Sequence, residues 1–136
     1  KKQIENLENT LRRWSTFTDG DEVSMALDEL KAKWSFIPED TDVLITHGPP
    51  NGYGDLVNNW RQPNTNVGCE LLRVRVDELK PKIHVFGHVH SGYGYKFHEG
   101  THFINASVLD EQYYYTQKPL TVDWNPETNE IEFVDF

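Results

Sequence analysis

Ile83-His84-Val85-Phe86-Gly87-His88-Val89-His90-Ser91-Gly92-Tyr93 is the stretch on which the reading of the fold turns. Alternation from Ile83 to Phe86 predicts a half-buried or buried strand. Gly87 then frees the backbone, so that His88 and His90, two residues apart, face the same side. Imidazoles at that spacing converge on a metal. A solitary histidine would read as a solvated loop residue; Gly-His-Val-His at the end of an apolar run favours ligation.

A second strand exit repeats the pattern in Asp42-Val43-Leu44-Ile45-Thr46-His47-Gly48-Pro49-Pro50-Asn51-Gly52-Tyr53-Gly54. Val43 to Ile45 form the near-continuous apolar run expected of a strand covered on both faces. Pro49-Pro50 cannot continue a ladder, which leaves His47 at the exit. The loop from Gly48 to Asn66 carries Tyr53, Trp60 and Arg61 and reads as a substrate-facing rim. Gly48 allows close backbone approach, and Arg61 offers a planar fork for a phosphate. Asn66 is expected to cap a helix with Cys69, Leu72, Val76 and Leu79 on its apolar side, closed before Pro81. Cys69 reads there as a small buried hydrophobe. Strand, helix and strand in succession predict a right-handed crossover between parallel strands. Their C-terminal ends share one sheet edge, which would bring His47, His88 and His90 together. His84 alternates to the other side and is expected to be buried and hydrogen-bonded.

Ahead of these strands, Ile4, Leu7, Leu11 and Trp14 recur at helical spacing within Gln3 to Trp14. Thr18 with Asp21 forms a capping pair for a second helix over Asp21 to Trp34. Beyond Gly92 the period changes to two. Tyr93–Phe97, Thr101–Asn105, Leu120–Asp123 and Glu130–Val134 read as short strands, with a tight hairpin at Glu99-Gly100 and a wider one after Trp124. His98 and His102 are expected to be solvated. Tyr113, Tyr114 and Tyr115 suit strand-edge packing better than ring stacking. The expected fold is α/β with an α+β tail: parallel strands followed by antiparallel hairpins, flanked by helices.

The 13 Lys and Arg against 22 Asp and Glu give a formal net charge of −9 and a pI near 5.0. That balance argues against a nucleic-acid-binding surface, which needs a basic face. Phosphate chemistry stays open, because a bound dication dominates its local field. One cysteine permits no disulfide within the chain. No run approaches membrane-spanning length, so a soluble intracellular protein, cytoplasmic by default, is the expectation.

Thr46-His47-Gly48-Pro49-Pro50 and Gly87-His88-Val89-His90 resemble the last two motifs of the calcineurin-like metallophosphoesterases. Trp34 through Ile37-Pro38, Val67-Gly68-Cys69, Pro81 to Phe86 and Asn105-Ala106-Ser107-Val108 resemble one branch, the small metallophosphoesterase-domain proteins. The resemblance implies a β-sandwich flanked by helices and a metal-dependent phosphoric ester hydrolase, a phosphodiesterase or phosphomonoesterase with cyclic nucleotides among its substrates. It implies two divalent ions clamping a phosphate ester, with His47 and His88 on one and His90 on the other; neutral imidazoles suit Mn, Fe or Zn.

Three earlier family motifs, Asp-x-His, Gly-Asp and Gly-Asn-His, do not occur at strand ends here. Residues 1–136 therefore read as the C-terminal portion of such a domain, with 1–15 a divergent N-terminal helix. Three neutral ligands cannot offset two dications, so the chain alone is expected to bind metal weakly and turn over little. Half a sandwich leaves apolar strands uncovered, and a missing N-terminal half or self-association is expected to cover them. The alternative is a non-catalytic metal-binding or regulatory module, for which three histidines suit a single Zn.

Overall fold

The computed structural model describes residues 20–134, and the chain divides into two compact units, Lys1–Pro38 and Glu39–Phe136. The expected helix over Gln3 to Trp14 and the Thr18 cap lie outside the described residues. In the first unit, α1 spans Gly20–Ser35, a residue longer at each end than the apolar spacing predicts. Backbone bonds from Phe36 to Lys33 and from Ile37 to Trp34 tighten its last turn before Pro38.

The second unit runs β1 (Val43–Ile45), β2 (Leu56–Val57), β3 (Thr65–Asn66), α2 (Glu70–Leu79), β4 (Ile83–Phe86), a 3-10 turn (His90–Gly92), β5 (Gly94–His98), β6 (Thr101–Asn105), β7 (Val122–Asn125) and β8 (Glu130–Phe133). β1, β4, β6 and β5 form a four-stranded sheet in that order. β1 pairs with β4 in parallel, as does β6, and β5 pairs antiparallel with β6. The fold is therefore mixed α/β, a parallel core with antiparallel hairpins, as the sequence predicts. Glu99 and Gly100 turn the β5–β6 hairpin with φ of 45° and 90°, the positive values a two-residue hairpin turn demands.

Both faces of the sheet bury side chains, Ile83 and Ile104 on one and an aromatic cluster on the opposite face. Leu44, His84, Phe86 and Phe103 are buried there, as are Leu72 and Val76 of α2. Tyr53 stacks on Phe103 with centroids 3.8 Å apart and planes 1° from parallel, and Arg73 lies over the other side of its ring. Tyr53 is thus core, 3% exposed, and not a rim residue: a large ring gains more from covering an apolar sheet than from solvent.

Several local expectations are corrected. β1 is an edge strand and is not covered on both faces; Val43 and Ile45 are 45% and 73% exposed, and Leu44 alone is buried. The cap of α2 is Cys69, whose Sγ accepts from the Leu72 amide. Cys69 is therefore half-buried at a helix start and not part of an apolar face. Asn66 instead sits in β3 and donates to Asp55. The Gly48–Asn66 loop contains the β2–β3 ladder. His102 is buried, held between the Tyr95 hydroxyl and the Asn129 carbonyl. β6 has the expected bounds and β8 ends one residue early, whereas β5 and β7 are displaced by one and two residues from the expected ranges. Tyr113, Tyr114 and Tyr115 are exposed, and of the three Tyr115 forms an isolated antiparallel bridge, with Leu109.

Candidate metal centre

The parallel ladder between β1 and β4 does not stop at the strand ends. Thr46 N–H donates to the Val85 carbonyl at 3.0 Å, and Gly87 N–H donates to the His47 carbonyl at 3.0 Å. Those bonds carry the register into both exits, so His47 and His88 emerge side by side. His47 Nε2 stands 3.2 Å from His88 Nδ1, with ring centroids 4.7 Å apart. Two imidazoles each about 2.1 Å from one ion at tetrahedral or square angles have nitrogens roughly 3.0–3.4 Å apart. The observed separation fits that requirement. His88 holds φ at 70°, a left-handed conformation that histidine tolerates better than bulkier residues.

His90 begins the 3-10 turn. Its Nδ1 donates to the Asp110 carbonyl at 2.7 Å, which assigns the ring proton to Nδ1 and leaves the Nε2 lone pair open. A carbonyl acceptor behind the ring is the arrangement that orients a metal-binding imidazole. His88 and His90 line one groove. Among the described residues, however, no three His, Cys, Asp or Glu side chains converge as a metal cluster. The structure thus brings His47 to His88, and gives His90 a separate setting on the Asp110 loop.

Gly48 lies beside the pair: a Cβ there would sit 3.9 Å from His88 Cδ2, an ordinary contact. Arg61 lies on an exposed turn with its guanidinium 4.6 Å above the Trp60 ring. His84 is fully buried, and its Nε2 donates to Thr46 Oγ1, which itself donates to the Gly48 carbonyl. Burial pushes its pKa down to about 4, so it is a neutral structural histidine beneath the site.

Two buried polar residues hold the loops around the histidines, and sequence spacing does not single out either. Asn105, at the end of β6, donates through Nδ2 to the Gly54 and Val89 carbonyls and accepts from the Ser107 amide. It ties the loop after His47 to the backbone between His88 and His90. Asp55 accepts from the Gly52 and Gly68 amides and from Asn66, closing the same loop from its other end. The sequence signals for Asn105 are its place, an amide side chain at a strand exit between Ile104 and Ala106, and the run Asn105-Ala106-Ser107-Val108 that resembles the family branch.

Similarity to known proteins points to the metallophosphoesterase domain-containing proteins. Over 95 residues the chain is 44% identical to metallophosphoesterase domain-containing protein 1 of Homo sapiens, covering 69% of the chain and 28% of that protein. A UPF0046 protein of Caenorhabditis elegans is 42% identical over 96 residues, covering 70% of the chain and 23% of that protein. No family model matches the chain. The chain is similar to the C-terminal part of these metallophosphoesterase domain-containing and UPF0046 proteins and spans about a quarter of the length of the curated relatives it matches. The family name implies divalent metal use in general.

Proposed function

We propose that His47 and His88 form part of a divalent-metal centre in a phosphoric ester hydrolase. The observation that carries this is the 3.2 Å approach of two ring nitrogens at paired strand exits, a spacing suited to two ligands on one ion. Mn, Fe or Zn suits imidazole donors, and His90, with its Nδ1 proton committed to Asp110, offers Nε2 to a second ion. When bound, such ions polarise a phosphoryl oxygen and stabilise charge as the ester bond breaks. The chain's own residues position that chemistry: Asn105 fixes the backbone on both sides of the His88–His90 segment, and His84 supports Thr46 from below without taking a proton near neutral pH. Val43 and Ile45, exposed on the β1 edge, support the reading that a further segment or a second copy completes the sheet.

Turnover of bis-p-nitrophenyl phosphate with added Mn tests this, using the chain alone and the chain fused to the preceding part of the human relative. The chain alone is expected to be nearly inactive, and the fusion active, chelator-sensitive and disabled by His88→Ala. Equal activity of His88→Ala and wild-type fusions would refute the hydrolase reading. A second reading, a single-metal binding module, rests on the His47–His88 pair alone, because no three His, Cys, Asp or Glu side chains converge among the described residues. One ion per fused chain, with no turnover, would establish it.

A further inference from the structure

We infer that the tip of the β2–β3 hairpin docks into the groove of the β7–β8 hairpin on a second copy of the chain, a head-to-tail contact made by Trp60 and Arg61. Trp60 is 84% exposed. The Arg61 guanidinium lies 4.6 Å above its ring and has no carboxylate partner among the described residues. Arg61 is also the only charged side chain from Leu56 to Gly68. The tip holds its shape without a partner. Asn59 Oδ1 accepts from the Arg61 and Gln62 amides, Asn59 and Gln62 exchange backbone bonds of 3.2 Å in both directions, and Asn58 Oδ1 accepts from the Asn64 amide. A turn fixed in this way loses little backbone freedom on docking.

The β7–β8 hairpin carries the opposite charge. Asp123 faces Glu132 across the ladder and Asn125 faces Glu130, so these side chains share one side of the ribbon. All of them are exposed, and among the described residues none of the carboxylates meets a cation. Like charges set opposite one another oppose the pairing of their strands. A guanidinium relieves that repulsion, and its planar fork matches carboxylate oxygens. Trp124, Pro126 and Ile131 line the same groove and offer the Trp60 ring an apolar wall. The tip thus brings N–H donors and an aromatic ring to a groove of acceptors and apolar side chains, and Trp and Arg are the side chains that most often dominate binding at protein interfaces. A symmetric contact fails on charge: tip against tip opposes Arg61 to itself, and ribbon against ribbon opposes carboxylates. The contact is therefore heterologous, leaving a free tip at one end and a free groove at the other. It uses none of the histidines, so it stands apart from the hydrolase reading.

Sedimentation equilibrium over a wide range of concentrations tests it. The wild-type chain is expected to grow past a dimer as concentration rises. Trp60→Ala with Arg61→Ala removes the tip, and Asp123→Lys with Glu132→Lys reverses the groove; each pair of substitutions should weaken self-association at least about 10-fold, with circular dichroism unchanged. Mixed together, the two variants retain one intact tip and one intact groove, and they are expected to form a one-to-one complex that grows no further. A misfolded variant could not capture the other, so the mixture separates lost complementarity from lost structure. A wild-type chain that stays monomeric, self-association that survives either pair of substitutions at full strength, or a mixture that forms no complex would overturn the inference.

Discussion

Replacing Asn105 distinguishes a hydrogen-bonded clamp on two loops from simple packing at a strand end. The side chain is 1% exposed and makes three hydrogen bonds, at 2.8 Å to Gly54 O, 2.8 Å to Val89 O and 3.0 Å from Ser107 N. Each buried bond contributes about 1 kcal/mol net, and a carbonyl left without a donor costs about 1–3 kcal/mol more. Asn105→Ala is therefore expected to destabilise the fold by at least about 3 kcal/mol. Asn105→Asp keeps the acceptor for Ser107 but turns an oxygen toward two carbonyls. A buried carboxylate facing acceptors has a raised pKa, so this variant loses more than the alanine variant at pH 8 and regains stability as the pH falls toward 5. Urea unfolding followed by tryptophan fluorescence reads both effects, and the Val89 and His90 amide shifts report the loop directly. An alanine variant losing under 1 kcal/mol, or an aspartate variant with wild-type pH dependence, would refute the clamp.

His84 gives a second pH signature. Its pKa falls from 6.5 to about 4 on folding, so the unfolded chain takes up a proton below pH 6.5 while the folded chain resists it. The stability His84 contributes is full above that pH and is lost as pH falls from 6.5 to 4, by about 3 kcal/mol in total; His84→Gln is expected to flatten the urea-midpoint profile over that window, and an unchanged slope contradicts it. Gly92→Ala places a Cβ onto the Gly54 carbonyl, whereas one on Gly48 meets only ordinary contacts. The former is expected to cost at least 2 kcal/mol by overpacking, at the order of magnitude usual for such changes, and Gly48→Ala to leave the melting temperature nearly unchanged. Cys69→Ser supplies a stronger N-cap than the thiol at 3.4 Å from Leu72 N, and thermal unfolding should show equal or slightly raised stability, by about 0.5 kcal/mol; a clear loss would restore the reading of Cys69 as core.

Strand identity was legible because two apolar runs end on Gly and Pro, signals set by local backbone chemistry. Val43–Ile45 and Ile83–Phe86 fall within the predicted bounds, and their parallel pairing follows from the helix between them. The proximity of His47 to His88 follows from the same topology. What stayed hidden depends on contacts distant in sequence. Tyr53 is drawn into the core by Phe103, fifty residues away, and His102 is buried by Asn129 from the β7–β8 hairpin. Asn105 carries no periodic signal, because its partners, Gly54 and Val89, belong to two different loops. The exposure of Ile45 shows the same limit from the other side: an apolar run announces a strand, but its coverage depends on what lies next to it in space.

The central claim is that His47 and His88 act as a pair on one cation. Titrating the chain with Mn while following the imidazole resonances tests it most directly. A shared ion is expected to broaden the His47 and His88 signals first and together, with His102 responding last, and His47→Ala or His88→Ala should each abolish the effect on the remaining partner. Broadening that spares His47 and His88, or that persists at one when the other is removed, would contradict it.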